Sequence, residues 1–317
     1  MPCRDARTPD RSSKGMMRTV EVKAAQGEGA RQPAAVVVSL PSRPLNSDER
    51  VSLRHVEHYL GAHPRYVLAA EGAEVDFPGF RVKRFAARFF GSARAHTNLL
   101  LTPQFYEAFR DYRFILIYHL DALVFSDELL AWCDRDWDYI GAPWMPSAYG
   151  TWLRHWDRAS RVGNGGFSLR KVDSFIRVLR SRRPHMSLEE YWRHYCAGKP
   201  RSVQLLNYWR RWAKLMRRYN DVNWVRHRSP INEDLFWAHE AVRFDPDFRI
   251  APFEEALRFA WETEPEECAR LSGLTLPFGC HAWPRYDRKF WIPYLLDDAR
   301  GTDVEAGSGL TAQHGGA

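Results

Sequence analysis

The stretch Phe114-Ile115-Leu116-Ile117-Tyr118-His119-Leu120-Asp121-Ala122-Leu123-Val124-Phe125 decides the fold. Its opening run of apolar and aromatic residues reads as a strand buried on both faces, the pattern of a parallel sheet covered by helices. Asp121 then falls just past the carboxyl end of that strand, where open α/β sheets place their ligands. An ionised carboxylate at the edge of a low-dielectric core costs roughly several kcal/mol unless a metal, a cation or hydroxyl donors satisfy it. The competing reading is an Asp in an ordinary turn before the helix that Ser126-Asp127-Glu128 opens.

Working outward toward the N-terminus, Ala34-Ala35-Val36-Val37-Val38-Ser39-Leu40 reads as another strand. Asn46 with Glu49 three residues later forms a capping-box pattern that opens a helix through Tyr59. Tyr66–Ala70 and Phe80–Phe85 read as short strands, and the spacing from Pro103 to Tyr112 predicts a helix leading into the central strand. Such alternation gives an α/β fold: one domain with a mixed, mostly parallel sheet, right-handed crossovers and helices on both faces. The domain is expected over 34–297. The polar, basic residues 1–33 and the Gly/Ala-rich residues 298–317 lack periodicity and are expected to be disordered.

Toward the C-terminus, Asp138–Trp144 reads as a short strand running into a turn. After it come Val162-Gly163-Asn164-Gly165-Gly166-Phe167-Ser168-Leu169-Arg170, whose glycines imply a close backbone approach to a ligand or another segment, or a bulge at a sheet edge. The spacing is not GxGxxG and no Gly-Lys-Ser/Thr follows, which argues against a P-loop or a dinucleotide fold. Asn232-Glu233-Asp234 reads as a helix start. Consecutive helical positions differ by roughly 100°, so at most one of the two acids should point squarely into a site, unless both merely complement the helix dipole. Pro277-Phe278-Gly279-Cys280-His281-Ala282-Trp283-Pro284 holds a lone histidine between aromatics.

The chain of 317 residues is 45% apolar and can build a sizeable core. Its 13 Trp, 13 Tyr and 18 Phe include enough aromatic surface to serve sugar rings, although most must be core. The five cysteines are odd in number and scattered, which indicates neither a disulfide framework nor a structural zinc site. No signal-peptide-like segment and no run of 18 apolar residues occurs, so a cytoplasmic setting is expected, extending to the inner face of the membrane. The net charge of +7 is local: ten basic residues between Trp192 and Arg228 face Asp221 alone, and the rest of the chain sums to −2. A local cause is therefore needed, rather than affinity for nucleic acid. On a helical wheel Leu205, Tyr208, Trp209, Trp212, Leu215, Met216 and Tyr219 oppose Arg210, Arg211, Lys214, Arg217 and Arg218. Residues 187–228 thus read as a basic amphipathic insertion. The apolar face of 205–219 either enters an anionic membrane surface or packs on the domain.

In order, the runs ILIYHLDALVFSDELLAWC (115–133), WDYIGAPW (137–144), VGNGGFSLR (162–170), INEDLF (231–236) and PFGCHAW (277–283) resemble the GT-A class of glycosyltransferases, and within it a little-characterised bacterial family. The resemblance spans about residues 34 to 295. It implies a GT-A-like domain that moves a sugar from a nucleotide-sugar donor to a hydroxyl acceptor. Asp121 lines up with the first acid of the DxD-like motif, and Asp121, Ala122, Pro41, Arg43, Trp144, Asn164, Gly165 and Gly166 fall in the donor site. Asp234, with Glu233 second, resembles the carboxylate base of inverting members, and His281 the late histidine that completes a metal site with Asp121. The implied cofactor is a divalent cation, Mn²⁺ or Mg²⁺. The implied acceptor is a glycan or other hydroxyl compound, and the basic insertion suits an anionic or lipid-linked one.

One position departs from that pattern. Leu123 stands where a second carboxylate is usual, which leaves metal-independent stabilisation of the leaving group by Arg43 or Arg170 open. A nucleotidyltransferase on a similar sheet, and a non-catalytic sugar-binding or membrane-docking relative, are the rival readings. The glycine-rich, Lys-bearing signature of the former is missing after the first strand, where Leu40-Pro41-Ser42-Arg43 stands instead.

Overall fold

The computed structural model describes residues 31–41, 43–145, 162–215, 220–228 and 232–296, with the side chains of 209, 211–215 and 227–228 outside the description. The expected disordered ends therefore lie outside the described residues almost entirely, as do the side chains of Trp209 and Trp212.

The strand predicted from the quoted stretch is real and central. β1 (Gln32–Ser39), β2 (Arg65–Ala70), β3 (Arg81–Phe85) and β4 (Tyr112–His119) are mutually parallel; β7 (Phe167–Lys171) pairs antiparallel with β4 and β6 (Tyr139–Ile140) antiparallel with β7, in the order β3-β2-β1-β4-β7-β6. Successive residues of β1 and β4 alternate between two apolar cores. Ala35, Val37, Ile115 and Ile117 enter one, and Ala34, Val36, Val38, Phe114, Leu116 and Tyr118 the other. Helices on each face close both cores. Ser47–Leu60 and Leu129–Asp134 supply Val56, Leu60, Leu129 and Trp132 on one side, and Ala93–Leu100, Pro103–Glu107 and Val172–Leu179 supply Leu99, Phe105, Tyr106 and Phe175 on the other.

Local signals place several ends. The capping box at Asn46 forms in full, with Glu49 N bonding Asn46 Oδ1 at 2.9 Å and Asn46 N bonding Glu49 Oε2 at 2.8 Å. The helix expected over Pro103–Tyr112 stops at Glu107. Tyr112 is already the first residue of β4, in register with Gln32, and that ladder takes the backbone the helix would have needed. Helix Ala93–Leu100, capped by Ser92 at Ala95 N (3.1 Å), was not foreseen, because its Arg and His residues blur the apolar stripe.

A small second sheet joins distant segments. β5 (Leu123–Val124) pairs antiparallel with β9 (Gly279–Cys280), and β8 (Ala260–Trp261) runs parallel to β9. It sits directly after the Asp121 turn and therefore governs what meets that residue.

The basic insertion consists of helices Leu188–Tyr195, Arg201–Leu215 and Val222–Arg228. Leu205 and Tyr208 are 69% and 42% exposed while Asn207 is buried, so this part of the apolar face does not pack on the domain. Among the described residues no helix is long and apolar enough to cross a membrane.

Candidate functional site

A cleft of about 1110 Å³ opens at the carboxyl ends of β1, β2 and β4. Ser39, Leu40 and Pro41 reach it from β1, Leu68 to Ala70 from β2, and His119 and Asp121 from β4. Gly165 and Gly166 border it ahead of β7, and Asn232, Glu233 and Asp234 close a further side.

The register of the small sheet brings His281 to Asp121. Leu123 is paired with Cys280 in an antiparallel ladder, so the residue after Cys280 comes alongside the residues before Leu123. Ala282 adopts φ 53°, a left-handed conformation unusual for alanine, and the turn lets Trp283 N bond Asp121 O at 3.1 Å. His281 Nε2 ends 3.3 Å from Asp121 Oδ1. Leu123 is itself fully buried in a cluster with Trp261, Trp283 and Trp291. Its side chain serves the core, and a histidine from another segment stands by Asp121 instead.

His281 is held from three sides. Glu262 Oε1 lies 2.8 Å and Asn164 Nδ2 3.1 Å from its Nδ1. A Cβ on Gly166 would come within 2.0 Å of Nε2, so the imidazole lies against bare glycine backbone. Asn164 builds this cradle, its Oδ1 accepting from Gly166 N and Phe167 N at 2.7 Å each. Burial would lower the pKa of His281, but its bonds to Asp121 and Glu262 outweigh that and raise it to about 10. Asp121 responds inversely: burial would raise its carboxyl, and the His281 contact holds it down at about 2. His119 lies beside them, with one ring nitrogen, an Asp121 oxygen and a His281 nitrogen all within 4.8 Å of one another. Burial keeps His119 neutral, with its pKa lowered to about 3. His96 Nε2 meets His119 Nε2 at 3.2 Å and Ser39 Oγ at 3.4 Å.

The two acids at the helix start diverge, as helical geometry requires. Glu233 turns to Arg170, whose Nη2 donates to its Oε1 at 2.8 Å. Arg170 also donates to Ser168 Oγ at 3.0 Å and Tyr106 OH at 3.1 Å. Gly165 is required here as well, because a Cβ would meet Glu233 Oε1 at 2.8 Å. Asp234 keeps one bond, from Leu235 N at 2.8 Å. Burial first, and then the adjacent charge of Glu233, push its carboxyl up to about 7.

Of the residues expected at the site, Pro41, Arg43, Asp121, Gly165, Gly166, Glu233, Asp234 and His281 line the cleft. Three others do not. Ala122 and Trp144 are buried in neighbouring cores, and Asn164 is buried as the brace of the glycine turn. Arg170 is also corrected: it is fully buried and tied to Glu233, so it cannot reach a leaving group. Arg43 is on the rim, gripped by Glu49 through bonds of 2.8 and 2.9 Å. Sequence reasoning missed His96, His119, Glu262 and Arg285, which also line the cleft. His119 had a signal in its position, at the end of the predicted strand and two residues before Asp121. Glu262 and Arg285 had none.

Among solved structures, similar ones include the apo form of the glycosyltransferase GlyE from Streptococcus pneumoniae TIGR4 (12% identity, TM-score 0.40) and the Mn/GDP form of core-mannan synthase A from Aspergillus fumigatus (9% identity, TM-score 0.39). The alignments cover 87% and 72% of this chain, and 64% and 74% of theirs, so the chain spans somewhat under two thirds of the length of that GlyE chain. No curated protein matches the sequence. Residues 79–281, more than half of the chain and the whole stretch from β3 to His281, match one family, and the protein is accordingly a member of the family described as "Protein of unknown function (DUF5672)".

Proposed function

We propose that the protein is a glycosyltransferase that moves a sugar from a nucleotide-sugar donor to a hydroxyl acceptor with inversion. One observation carries this reading: a single cleft at the carboxyl edge of the sheet holds both the Asp121–His281 pair and, on another wall, Asp234 with a pKa near neutrality. A general base works best with its pKa near the operating pH, and burial beside Glu233 gives Asp234 that property. In the proposed step Asp234 takes the proton of the acceptor hydroxyl as its oxygen bonds to the anomeric carbon. The bond from that carbon to the diphosphate oxygen breaks, and the nucleoside diphosphate leaves with the electron pair. Glu233, tied to Arg170, raises the pKa of Asp234 through its charge. Asp121 and His281 are the residues that would hold a divalent cation, which when bound offsets charge on the departing diphosphate. The cradle of Gly166 and the bond that His281 Nδ1 donates to Glu262 fit that role, because they leave Nε2 turned to Asp121. The charge of the basic insertion suits an anionic or lipid-linked acceptor.

The test is a panel of nucleotide sugars incubated with the protein, with and without Mn²⁺, following thermal stability and released nucleoside diphosphate. A donor that raises the melting temperature and is slowly hydrolysed supports the reading. Stabilisation by a donor without any hydrolysis or transfer would favour a non-catalytic sugar-binding protein, and no response to any donor would exclude both.

A further inference from the structure

We propose that His119, Asp121 and His281 form a two-histidine, one-carboxylate site that selects a transition-metal dication over Mg²⁺, with Glu262 orienting His281. The donor atoms lie within 4.8 Å of one another. Two ligands about 2.1 Å from one ion are at most about 4.2 Å apart, so small side-chain rotations suffice to gather them. His119 ends β4, Asp121 lies in the turn that follows it, and His281 comes directly after β9.

Three features of the setting of His281 fit a metal ligand. First, Glu262 takes His281 Nδ1 at 2.8 Å, the carboxylate–histidine arrangement that commits the opposite nitrogen to a metal. Second, that opposite nitrogen, Nε2, is the one beside Asp121 at 3.3 Å. Third, Gly166 leaves the space the ring occupies, with Asn164 holding the glycine turn in place. His119 is steadied in turn by His96 at 3.2 Å.

The donor set decides the class of ion. Mg²⁺ and Ca²⁺ are hard cations that prefer oxygen ligands, whereas two imidazoles with one carboxylate suit Mn²⁺, Fe²⁺, Co²⁺ and Zn²⁺ and leave coordination positions open. Leu123 at the second acidic position removes the oxygen donor that Mg²⁺ would need, and nitrogen donors replace it. That the open positions face a diphosphate rests on the glycosyltransferase reading, while the binding of the ion does not.

The experiment uses the full chain, stripped with EDTA and without nucleotide. Calorimetry with Mn²⁺, Co²⁺ and Mg²⁺ is expected to show one site that binds Mn²⁺ and Co²⁺ at least about tenfold more tightly than Mg²⁺. His119→Ala and His281→Ala should each weaken Mn²⁺ binding by about 10-fold or more, and Glu262→Gln by about 10- to 100-fold. Pulsed electron paramagnetic resonance on the wild-type Mn²⁺ complex should detect two imidazole nitrogens, a readout that needs no variant to fold. Equal affinity for Mg²⁺, a single coupled nitrogen, or wild-type affinity in folded His119→Ala would each overturn the proposal. Selective Mn²⁺ binding with no turnover of any nucleotide sugar would sustain it and count against the glycosyltransferase reading alone.

Discussion

Arg170 Nη2 and Glu233 Oε1 are 2.8 Å apart, with their side chains 0% and 6% exposed. The pair is shut away from water beneath the cleft, and it sets the electrostatics of the residue that follows. Burial would lower the pKa of Arg170, but the charge of Glu233 outweighs that and raises it, so the guanidinium stays charged throughout the accessible pH range. Glu233 Oε2 is also buried, without a hydrogen-bond partner among the described residues. A single positive charge therefore stands against two neighbouring carboxyls, and Asp234, the less favourably placed, retains its proton to about pH 7.

Removing one member of this pair strands the other as an unpaired buried charge. Arg170→Met is expected to lower stability by about 3–5 kcal/mol, as measured by urea unfolding. The double variant Arg170→Met/Glu233→Leu should recover much of that loss, because both charges are then gone. A single variant as stable as wild type would mean that water reaches the pair.

Turnover should follow the ionisation of Asp234. As the proposed base, Asp234 would have to be deprotonated, so kcat is expected to fall about tenfold per pH unit below pH 7 and to level off above it. Glu233→Gln removes one of the charges that raise the Asp234 pKa, and should shift the acid limb to lower pH. Asp234→Asn should reduce turnover by about two to four orders of magnitude with donor affinity little changed. A pH profile that Glu233→Gln leaves in place would separate the limb from this carboxyl.

The same carboxyl makes a stability prediction of opposite sign. Its folded pKa of about 7 is raised above the unfolded value of about 3.9, so the protonated form favours the fold and that contribution is lost as pH rises through 7. Above pH 7 Asp234→Asn should therefore be more stable than wild type, by roughly 1–3 kcal/mol, and near pH 4 the two should converge. Thermal unfolding at both pH values provides the check.

Gly166→Ala tests the cradle. The added Cβ would fall 2.0 Å from His281 Nε2, so the ring must leave its position beside Asp121. Cation binding is expected to fall by about 10-fold or more while the sheet remains folded. Undiminished binding of Mn²⁺ by the variant would show that His281 need not occupy the observed rotamer.

Asp121→Asn addresses the donor side. The side chain is 46% exposed and an amide fills the same space, so no cavity forms, but the charge that pairs with His281 is lost and stability at neutral pH should fall by roughly 1–2 kcal/mol. Donor affinity should drop, since an amide keeps the shape and loses the charge. Titration of the variant with the nucleotide sugar identified for the wild type measures this directly.

What the sequence by itself determined was whatever depends on neighbours along the chain. The apolar run before His119 dictated a doubly buried strand, and burial on both faces dictated a helix-covered parallel sheet. The Asn46–Glu49 capping box is a three-residue relation and formed as its pattern implies. The divergence of Glu233 and Asp234 followed from the pitch of a helix, although the direction each takes did not. Only the tertiary structure decided what stands beside Asp121. His281 is 160 positions away, and it arrives through a two-residue strand pair too short to carry a periodic signal. Likewise Arg170 reads as an available cation until the fold seals it against Glu233, and Asn164 as a ligand contact until its side chain is seen bracing the turn. The reason is physical: periodicity records which way a side chain points relative to its own element, whereas the pKa and the partners of a group depend on charges and packing brought in from elsewhere.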